Sequence, residues 1–254
     1  MFVVVISNSL YILSYLQVVV NNFFYFLFEG GSIADEIAAQ GGSVQVATGA
    51  KGHPLQAARQ LVRYCKAHRI DVVVDHTGSP YTRLAHVYAA LRLKKARFLL
   101  YLHSNAADSN DHGFKSQLYK WLMHSAARHS AHIVAISNSV AESYVRLFRL
   151  PKEKITVVYN GTDLARFTPH PVHTDVIFRL IYVGRIFSSK GIDLLLKAIA
   201  ACPTDAPSTL TLVGSDHGGE TEQMQALSAR LQLEDKVQCL GRRTDVPQLL
   251  QQAD

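Results

Sequence analysis

The stretch Tyr182–Gly191, YVGRIFSSKG, followed by Ile192–Leu196, IDLLL, decides how this chain folds. The first three residues end a strand, and the glycine there lets the backbone approach a ligand closely. The second run begins a helix, whose free N–H groups and dipole favour an anion. Arg185 and Lys190 bracket the loop, and both side chains can hold phosphate oxygens. The stretch predicts either a diphosphate site at the carboxyl end of a parallel sheet or a plain βα turn with two solvated cations.

Strand and helix patterns alternate on both sides of this stretch. The strands are short apolar runs, which suit a sheet that is buried on both faces. Between them lie longer segments with the spacing of amphipathic helices. The alternation predicts an α/β protein with parallel sheets covered by helices. The predicted strands are Phe2–Ile6, Val44–Ala47, Ile70–Val74, Arg97–Leu102, His132–Ile136, Ile155–Tyr159, Arg179–Val183, Thr209–Val213 and Lys236–Leu240.

A pause in the alternation divides the chain into two predicted domains. The Asn160-Gly161 turn signal opens the stretch 161–178, which also contains prolines, so we expect a linker there. An N-terminal domain over 1–160 precedes this linker, and a C-terminal domain over 179–254 follows it. The C-terminal domain has only three predicted strands before the sequence stops, and we therefore expect it to be incomplete.

The composition limits the class of protein. Hydrophobic residues make up 48% of the 254 residues and charged residues 18%, which excludes a mainly disordered chain. The net charge of +6 and the pI near 9.2 suit anionic small molecules or an acidic membrane surface as well as nucleic acid. The three cysteines lie far apart without a C-x-x-C pair, so we expect reduced thiols in a cytoplasmic protein.

The first 28 residues contain no Asp, Glu, Lys or Arg and are mostly apolar. As one helix they would be about 42 Å long, more than the ~30 Å hydrocarbon core of a bilayer, so a membrane anchor is one interpretation. Polar residues recur along the stretch, however, and no Lys or Arg precedes Lys51. The alternatives are a buried strand over Phe2–Ile6 followed by irregular apolar sequence, or an aberrant N-terminus.

Four strings occur together in the order and spacing that is typical of one enzyme family: Tyr159–Pro169, Val183–Gly191, Leu212–Gly214 and Leu240–Pro247. Together they resemble the retaining glycosyltransferases of family 4, also called the group 1 family. In the first domain, Leu102–Asn105 is similar to the capsular or exopolysaccharide branch. The resemblance covers roughly residues 30–254. It implies a GT-B fold, in which two Rossmann-like domains with parallel sheets enclose the active site.

The resemblance also implies site residues, position by position. Arg185 and Lys190 match the pair that binds the donor diphosphate and stabilises the departing nucleotide. Gly184 and Gly191 belong to the same diphosphate loop, in which Gly184 is the glycine of close approach. Gly214, Gly241 and Arg242 match loops around the nucleotide. His103 matches a histidine that lies against the transferred sugar, although it could instead cap its strand or bond Asp75 or Ser104.

The implied substrate is a nucleotide diphosphate sugar, with a glycan or lipid-linked acceptor and no cofactor. We expect no metal site, because the clustered histidines His112, His124, His129 and His132 form no clean ligand pair with a carboxylate. We expect no nucleic acid partner either. The basic cluster Lys94, Lys95 and Arg97 has no interleaved aromatic residues and suits a solvated surface or contact with anionic lipid. The implied location is the cytoplasm, with membrane association as an option.

The sequence departs from the family pattern at both ends. The Glu-x7-Glu segment of the family would follow Asp254, so an inactive remnant with residual nucleotide binding is the alternative to a working transferase. Near the start, the expected glycine-rich loop is replaced by Ser7-Asn8-Ser9, with Gly30-Gly31 as a displaced counterpart. A two-lobed periplasmic sugar-binding protein is a third interpretation, but it has no use for Arg185 and Lys190.

Overall fold

A computed structural model describes residues 2–6, 22–27, 31–49, 52–106, 114–162, 164–168, 177–202, 208–216 and 218–254. The chain divides into two compact units, Met1–Thr162 and Asp163–Asp254. Each unit has its own parallel sheet and its own apolar core. The α/β class with parallel sheets, predicted from the alternating pattern, is therefore confirmed.

The first unit is built around a seven-stranded sheet in which every strand pair is parallel. Its strands are β1 Phe2–Ile6, β2 Asn22–Phe26, β3 Ser43–Val46, β4 Val72–Asp75, β5 Arg97–Leu102, β6 His132–Ala135 and β7 Ile155–Val157. Its helices are α1 Gly31–Ala39, α2 Pro54–Ala67, α3 Pro80–Arg92, α4 Phe114–His129 and α5 Asn138–Phe148. The strands lie in the order β3-β2-β1-β4-β5-β6-β7, so β4 and β5 are neighbours near the middle of the sheet.

Apart from Leu27, the described residues of the uncharged head form strands. Phe2–Ile6 is β1, as predicted, whereas the strand Asn22–Phe26 was not predicted. β2 lies between β1 and β3, and Phe24, Tyr25 and Phe26 are buried. A strand whose two faces are both covered has a continuous apolar sequence, which is why this run looked like a membrane anchor. A single helix over the head is wrong for the described residues, and none of the described helices is long and apolar enough to cross a membrane. The predicted Ser7-Asn8-Ser9 loop and Gly30 lie outside the described residues.

A buried ion pair fixes the loop that follows β4. Asp75, the last residue of β4, accepts a hydrogen bond from Nη1 of Arg83 on α3 at 2.7 Å, and both side chains are almost completely buried. Nδ1 of His86, also on α3, lies 2.7 Å from the same carboxylate oxygen. The other oxygen accepts the backbone N–H and the hydroxyl of Thr77, at 2.9 and 2.5 Å, and Arg83 also donates to the Thr77 carbonyl. α3 is thereby joined to the end of β4.

The second unit has a three-stranded parallel sheet. Its strands are β8 Phe178–Val183, β9 Ser208–Val213 and β10 Val237–Gly241, and its helices are α6 Ile192–Ala200, α7 Glu220–Arg230 and α8 Val246–Leu250. The strand order is β10-β9-β8. The buried face of α6 consists of Ile192, Leu196 and Ile199, which pack with Leu210 and Leu212 of β9 in one core.

Backbone hydrogen bonds also join the three strands of the second unit at their carboxyl ends. The N–H of Gly184 donates to the Val213 carbonyl at 2.9 Å, and that of Gly214 to the Gly241 carbonyl at 2.9 Å. A Cβ atom on Gly214 would lie 1.7 Å from the carbonyl oxygen of Gly184. Because the atom in the way belongs to the backbone, no side-chain movement could relieve the clash, and position 214 requires glycine.

The buried ion pair predicts a large and pH-dependent loss of stability in Asp75→Asn. Burial alone would raise the pKa of Asp75, but Arg83, His86 and Thr77 outweigh it and hold that pKa well below its usual range. The folded protein then binds fewer protons than the unfolded chain, so its free energy of unfolding falls as the pH drops below about 4. Urea unfolding of Asp75→Asn at pH 7 should show a loss of about 3–5 kcal/mol and a shallower acid dependence.

The matched control for this measurement is Asp245→Asn, which breaks the exposed pair that Asp245 forms with Arg243. An exposed ion pair contributes little to stability, so the unfolding midpoint of Asp245→Asn should stay close to that of the unmodified protein. Equal midpoints for Asp75→Asn and Asp245→Asn would contradict the role given to the buried carboxylate.

Gly214→Ala should loosen the second sheet. Forcing a methyl group against the Gly184 carbonyl costs about 1–3 kcal/mol, so the amides of β8 and β9 should exchange about five- to a hundredfold faster with deuterium. Gly218→Ala is the control, because a Cβ there meets no atom within 4 Å. Unchanged exchange of β8 and β9 in Gly214→Ala would show that the strand ends can separate without cost.

Candidate functional site

The loop between β8 and α6 has the geometry that its sequence predicts. Ser188–Lys190 forms a short 3-10 turn, and Gly191 adopts a left-handed conformation, with φ of 70°, directly before α6. Gly184 follows β8 with little room for a side chain, since a Cβ there would lie 2.8 Å from the Tyr182 hydroxyl. That hydroxyl donates to the Arg185 carbonyl at 2.9 Å. The start of the loop is therefore fixed by contacts within it.

Arg185 and Lys190 are both exposed, and neither side chain has a hydrogen bond or ion pair with another residue in the described part of the chain. Lys197, further along α6, is different, because it pairs with Asp193 at 3.0 Å. The two cations of the loop are thus available to a ligand, whereas the cation on the adjacent helix is already engaged.

Three of the predicted glycines lie at one edge of the second sheet. Gly184 follows β8, Gly214 follows β9 and Gly241 ends β10, and the hydrogen bonds described above link the ends of their strands. Gly241 has a φ of 65°, a left-handed backbone conformation that would be strained in a residue with a side chain. Arg242 comes next and is exposed without a partner among the described residues, whereas Arg243 is held by Asp245. The structure therefore brings the predicted nucleotide loops and the diphosphate loop to the same edge.

Two acidic residues at this edge were not predicted. Asp216 accepts the N–H groups of Gly218 and Thr221, both at 2.8 Å, and these bonds lower the pKa of Asp216. Glu220, the first residue of α7, accepts the N–H of Ser188 at 3.2 Å and so supports the 3-10 turn. Both carboxylates bond backbone amides, and among the described residues neither forms an ion pair with Arg185 or Lys190.

In the first unit, His103 lies just beyond the end of β5, and its partner is His76. Nε2 of His103 is 2.9 Å from Nδ1 of His76, which lies just beyond the end of β4. The two alternatives considered from sequence, a bond to Asp75 or to Ser104, are not among the bonds of the described residues. His76 also stacks on Tyr101, with ring centroids 4.4 Å apart.

Burial keeps this histidine pair uncharged near neutral pH. It lowers the pKa of His76 to about 3, with a further contribution from His103 and an opposing one from Asp75. It also lowers the pKa of His103, to which the positive charge of Arg83 adds. Both rings are therefore neutral imidazoles, which can exchange hydrogen bonds with a sugar hydroxyl.

The other predicted residues lie away from His103 or outside the described residues. Lys94, Lys95 and Arg97 are exposed at the start of β5, which is the opposite edge of the sheet from His103. That position favours a solvated surface. Within the described ranges, no cluster of three or more His, Cys, Asp or Glu side chains could hold a metal ion. His112 lies outside those ranges.

Family comparisons match both units. The model described as Glycosyltransferase Family 4 matches residues 28–166, and the model described as Glycosyl transferases group 1 matches residues 175–254. Each match falls mainly within one of the two units described above.

The regions that align with two curated relatives are a larger share of this chain than of those proteins. One subunit of the phosphatidylinositol N-acetylglucosaminyltransferase of Homo sapiens is 28% identical over 184 residues, which are 71% of this chain and 37% of that protein. UDP-Gal:alpha-D-GlcNAc-diphosphoundecaprenol alpha-1,3-galactosyltransferase of Escherichia coli is 23% identical over 207 residues, 76% of this chain and 53% of that protein. The chain thus spans about a third to a half of the length of these two relatives.

The fold is also that of a solved protein, Anabaena Alr3699/HepE in complex with UDP. The TM-score is 0.74 at 22% identity, with 92% of this chain and 65% of that chain covered. Several solved structures with this fold are GT-B glycosyltransferases, which confirms the predicted fold. With a family model matched to each of its two units, the chain belongs to the family 4, group 1 glycosyltransferases.

Proposed function

We propose that this protein transfers a sugar from a nucleoside diphosphate sugar to a glycan or lipid-linked acceptor, with retention of configuration at the anomeric carbon. The observation on which this rests is the pair of exposed cations, Arg185 and Lys190, which lie beside the glycine-lined edge of the second sheet and bond no other side chain among the described residues. The UDP named with the Anabaena structure and the UDP-Gal in the name of the Escherichia coli relative support a nucleotide sugar as donor.

The charges suit the departure of a nucleoside diphosphate. As the bond to the sugar breaks, negative charge grows on the leaving phosphate oxygen. Arg185 can hold two oxygens at once and Lys190 supplies a compact charge, so both interactions strengthen as the transition state is approached. Gly184 lets the backbone come close to the diphosphate, and the amino end of α6 adds a favourable dipole. The substrate itself supplies the leaving group, and no cofactor enters this step.

His103 has the properties of a group that contacts the transferred sugar. It lies at the carboxyl edge of the first sheet, where ligands of parallel sheets bind, and its ring is neutral near pH 7 because burial lowers its pKa. A neutral imidazole can hydrogen-bond a sugar hydroxyl without bringing a further positive charge to the site.

The acceptor is proposed to be a glycan or a lipid-linked molecule. Phosphatidylinositol in the name of the human relative and diphosphoundecaprenol in that of the Escherichia coli relative support the lipid-linked class. A lipid-linked acceptor would bring the protein to a membrane surface.

Titration of the full chain with UDP and with GDP tests the donor site. Each charged hydrogen bond contributes about 1.5–3 kcal/mol, so Arg185→Ala combined with Lys190→Ala should weaken the affinity at least tenfold. Lys197→Ala is the matched control, because that lysine is engaged by Asp193 and should change the affinity little. Unchanged affinity in the double variant would show that the diphosphate binds elsewhere.

A turnover assay distinguishes a working transferase from an inactive remnant that only binds the nucleotide. Incubation with UDP-glucose, UDP-galactose and UDP-N-acetylglucosamine, each together with a glycan or lipid-linked acceptor, should release UDP from the unmodified protein as the sugar passes to the acceptor. If the protein binds UDP but turns over none of the three nucleotide sugars, it is the inactive remnant.

A further inference from the structure

His76 and His103 are brought together by the register of β4 and β5. Asp75 pairs with Leu100, so continuing the parallel register by one residue places His76 beside Tyr101. His103 lies two residues beyond Tyr101 and therefore on the same face. The three rings accordingly form one group, in which His76 stacks on Tyr101 and bonds His103.

The residues on both sides of His76 are anchored. Asp75 is held by Arg83 and His86, and Thr77 is bonded to Asp75 through its N–H and its hydroxyl. Arg83 also donates to the carbonyl of Thr77. His76 itself is buried against Tyr101. Its ring is thus held from the backbone and from the side, which makes it a rigid partner for His103.

A bond between two neutral imidazoles couples their tautomers, so that the tautomer of one ring determines that of the other. Each neutral ring has one N–H group and one bare nitrogen, so one ring must donate and the other accept. If Nε2 of His103 donates, its Nδ1 has no proton; if Nε2 accepts, Nδ1 has the proton. That Nδ1 has no hydrogen-bond partner among the described residues, and His103 is only half-buried. Among the described residues, the ionisable groups that act on the pair are Asp75, Arg83 and Tyr101, and none of them bonds this nitrogen.

We propose that His76 is a positioning residue for His103: the bond between Nδ1 of His76 and Nε2 of His103 holds the His103 ring in one orientation and one tautomer, so that Nδ1 of His103 meets a sugar hydroxyl with a defined donor or acceptor. The tautomer part follows from the first unit alone, and the sugar part rests on the proposed function.

Nitrogen NMR of the histidine rings in the full chain tests the tautomer directly. In the unmodified protein, His103 should show a single neutral tautomer at pH 7. His76→Phe keeps a ring against Tyr101 but removes the bond, and His103 should then show averaged shifts of both tautomers. His76→Leu serves the same purpose if the Phe variant does not fold.

His132→Phe is the matched control, because it makes the same substitution in the same sheet at a histidine that bonds Thr156 instead. The His103 shifts should not change in this variant. Two tautomers of His103 in the unmodified protein, or a single one that persists in both His76→Phe and His76→Leu, would overturn the proposal.

Kinetics test whether His76 acts through His103. With the donor that is turned over, His76→Phe should lower kcat about ten- to a hundredfold with a smaller change in KM, because the reacting geometry is less well held. In a His103→Ala background the same substitution should have no further effect. Independent effects of the two substitutions would overturn the positioning role. If no donor is turned over, the proposed function fails, and the NMR spectra alone decide whether His76 orients His103.

Discussion

Parallel pairing of the strands is the constraint on which the candidate sites depend. Every strand pair among the described residues is parallel, so the strands of each sheet all end at the same edge. Polar and glycine residues placed just after strands therefore meet, although they are far apart in sequence. His76 and His103 meet in this way in the first unit, and Gly184, Gly214 and Gly241 in the second. The same geometry places ligands of α/β proteins beyond the carboxyl ends of strands.

The buried carboxylate of Asp75 shows how stability and function share this edge. A charge at this depth is tolerated because Arg83, His86 and Thr77 all bond to it. The same bonds hold the residues on either side of His76. The loop that orients His103 is thus kept in place by the interaction that joins α3 to β4, and weakening one is expected to disturb the other.

The sequence predicted most of the strands and the β8–α6 loop of the second unit. Apolar runs, glycines and two cations within a few residues of each other are local signals. It did not predict β2, since an uncharged apolar run looks alike in a buried strand and in a membrane anchor. It also missed His76. A histidine after a strand is an ordinary loop residue until the neighbouring strand is known, and strand order is not a local property. Asp216 and Glu220 were missed for a similar reason, because their roles lie in bonds to backbone amides.

The central claim is that the edge formed by Gly184, Gly214 and Gly241 holds the diphosphate of a nucleotide sugar. A crystal structure of the full chain with UDP tests it most directly. The account predicts phosphate oxygens within hydrogen-bond distance of Arg185 and Lys190, with the diphosphate close to the backbone of Gly184. Well-defined UDP bound elsewhere, with Arg185 and Lys190 in solvent, would contradict it.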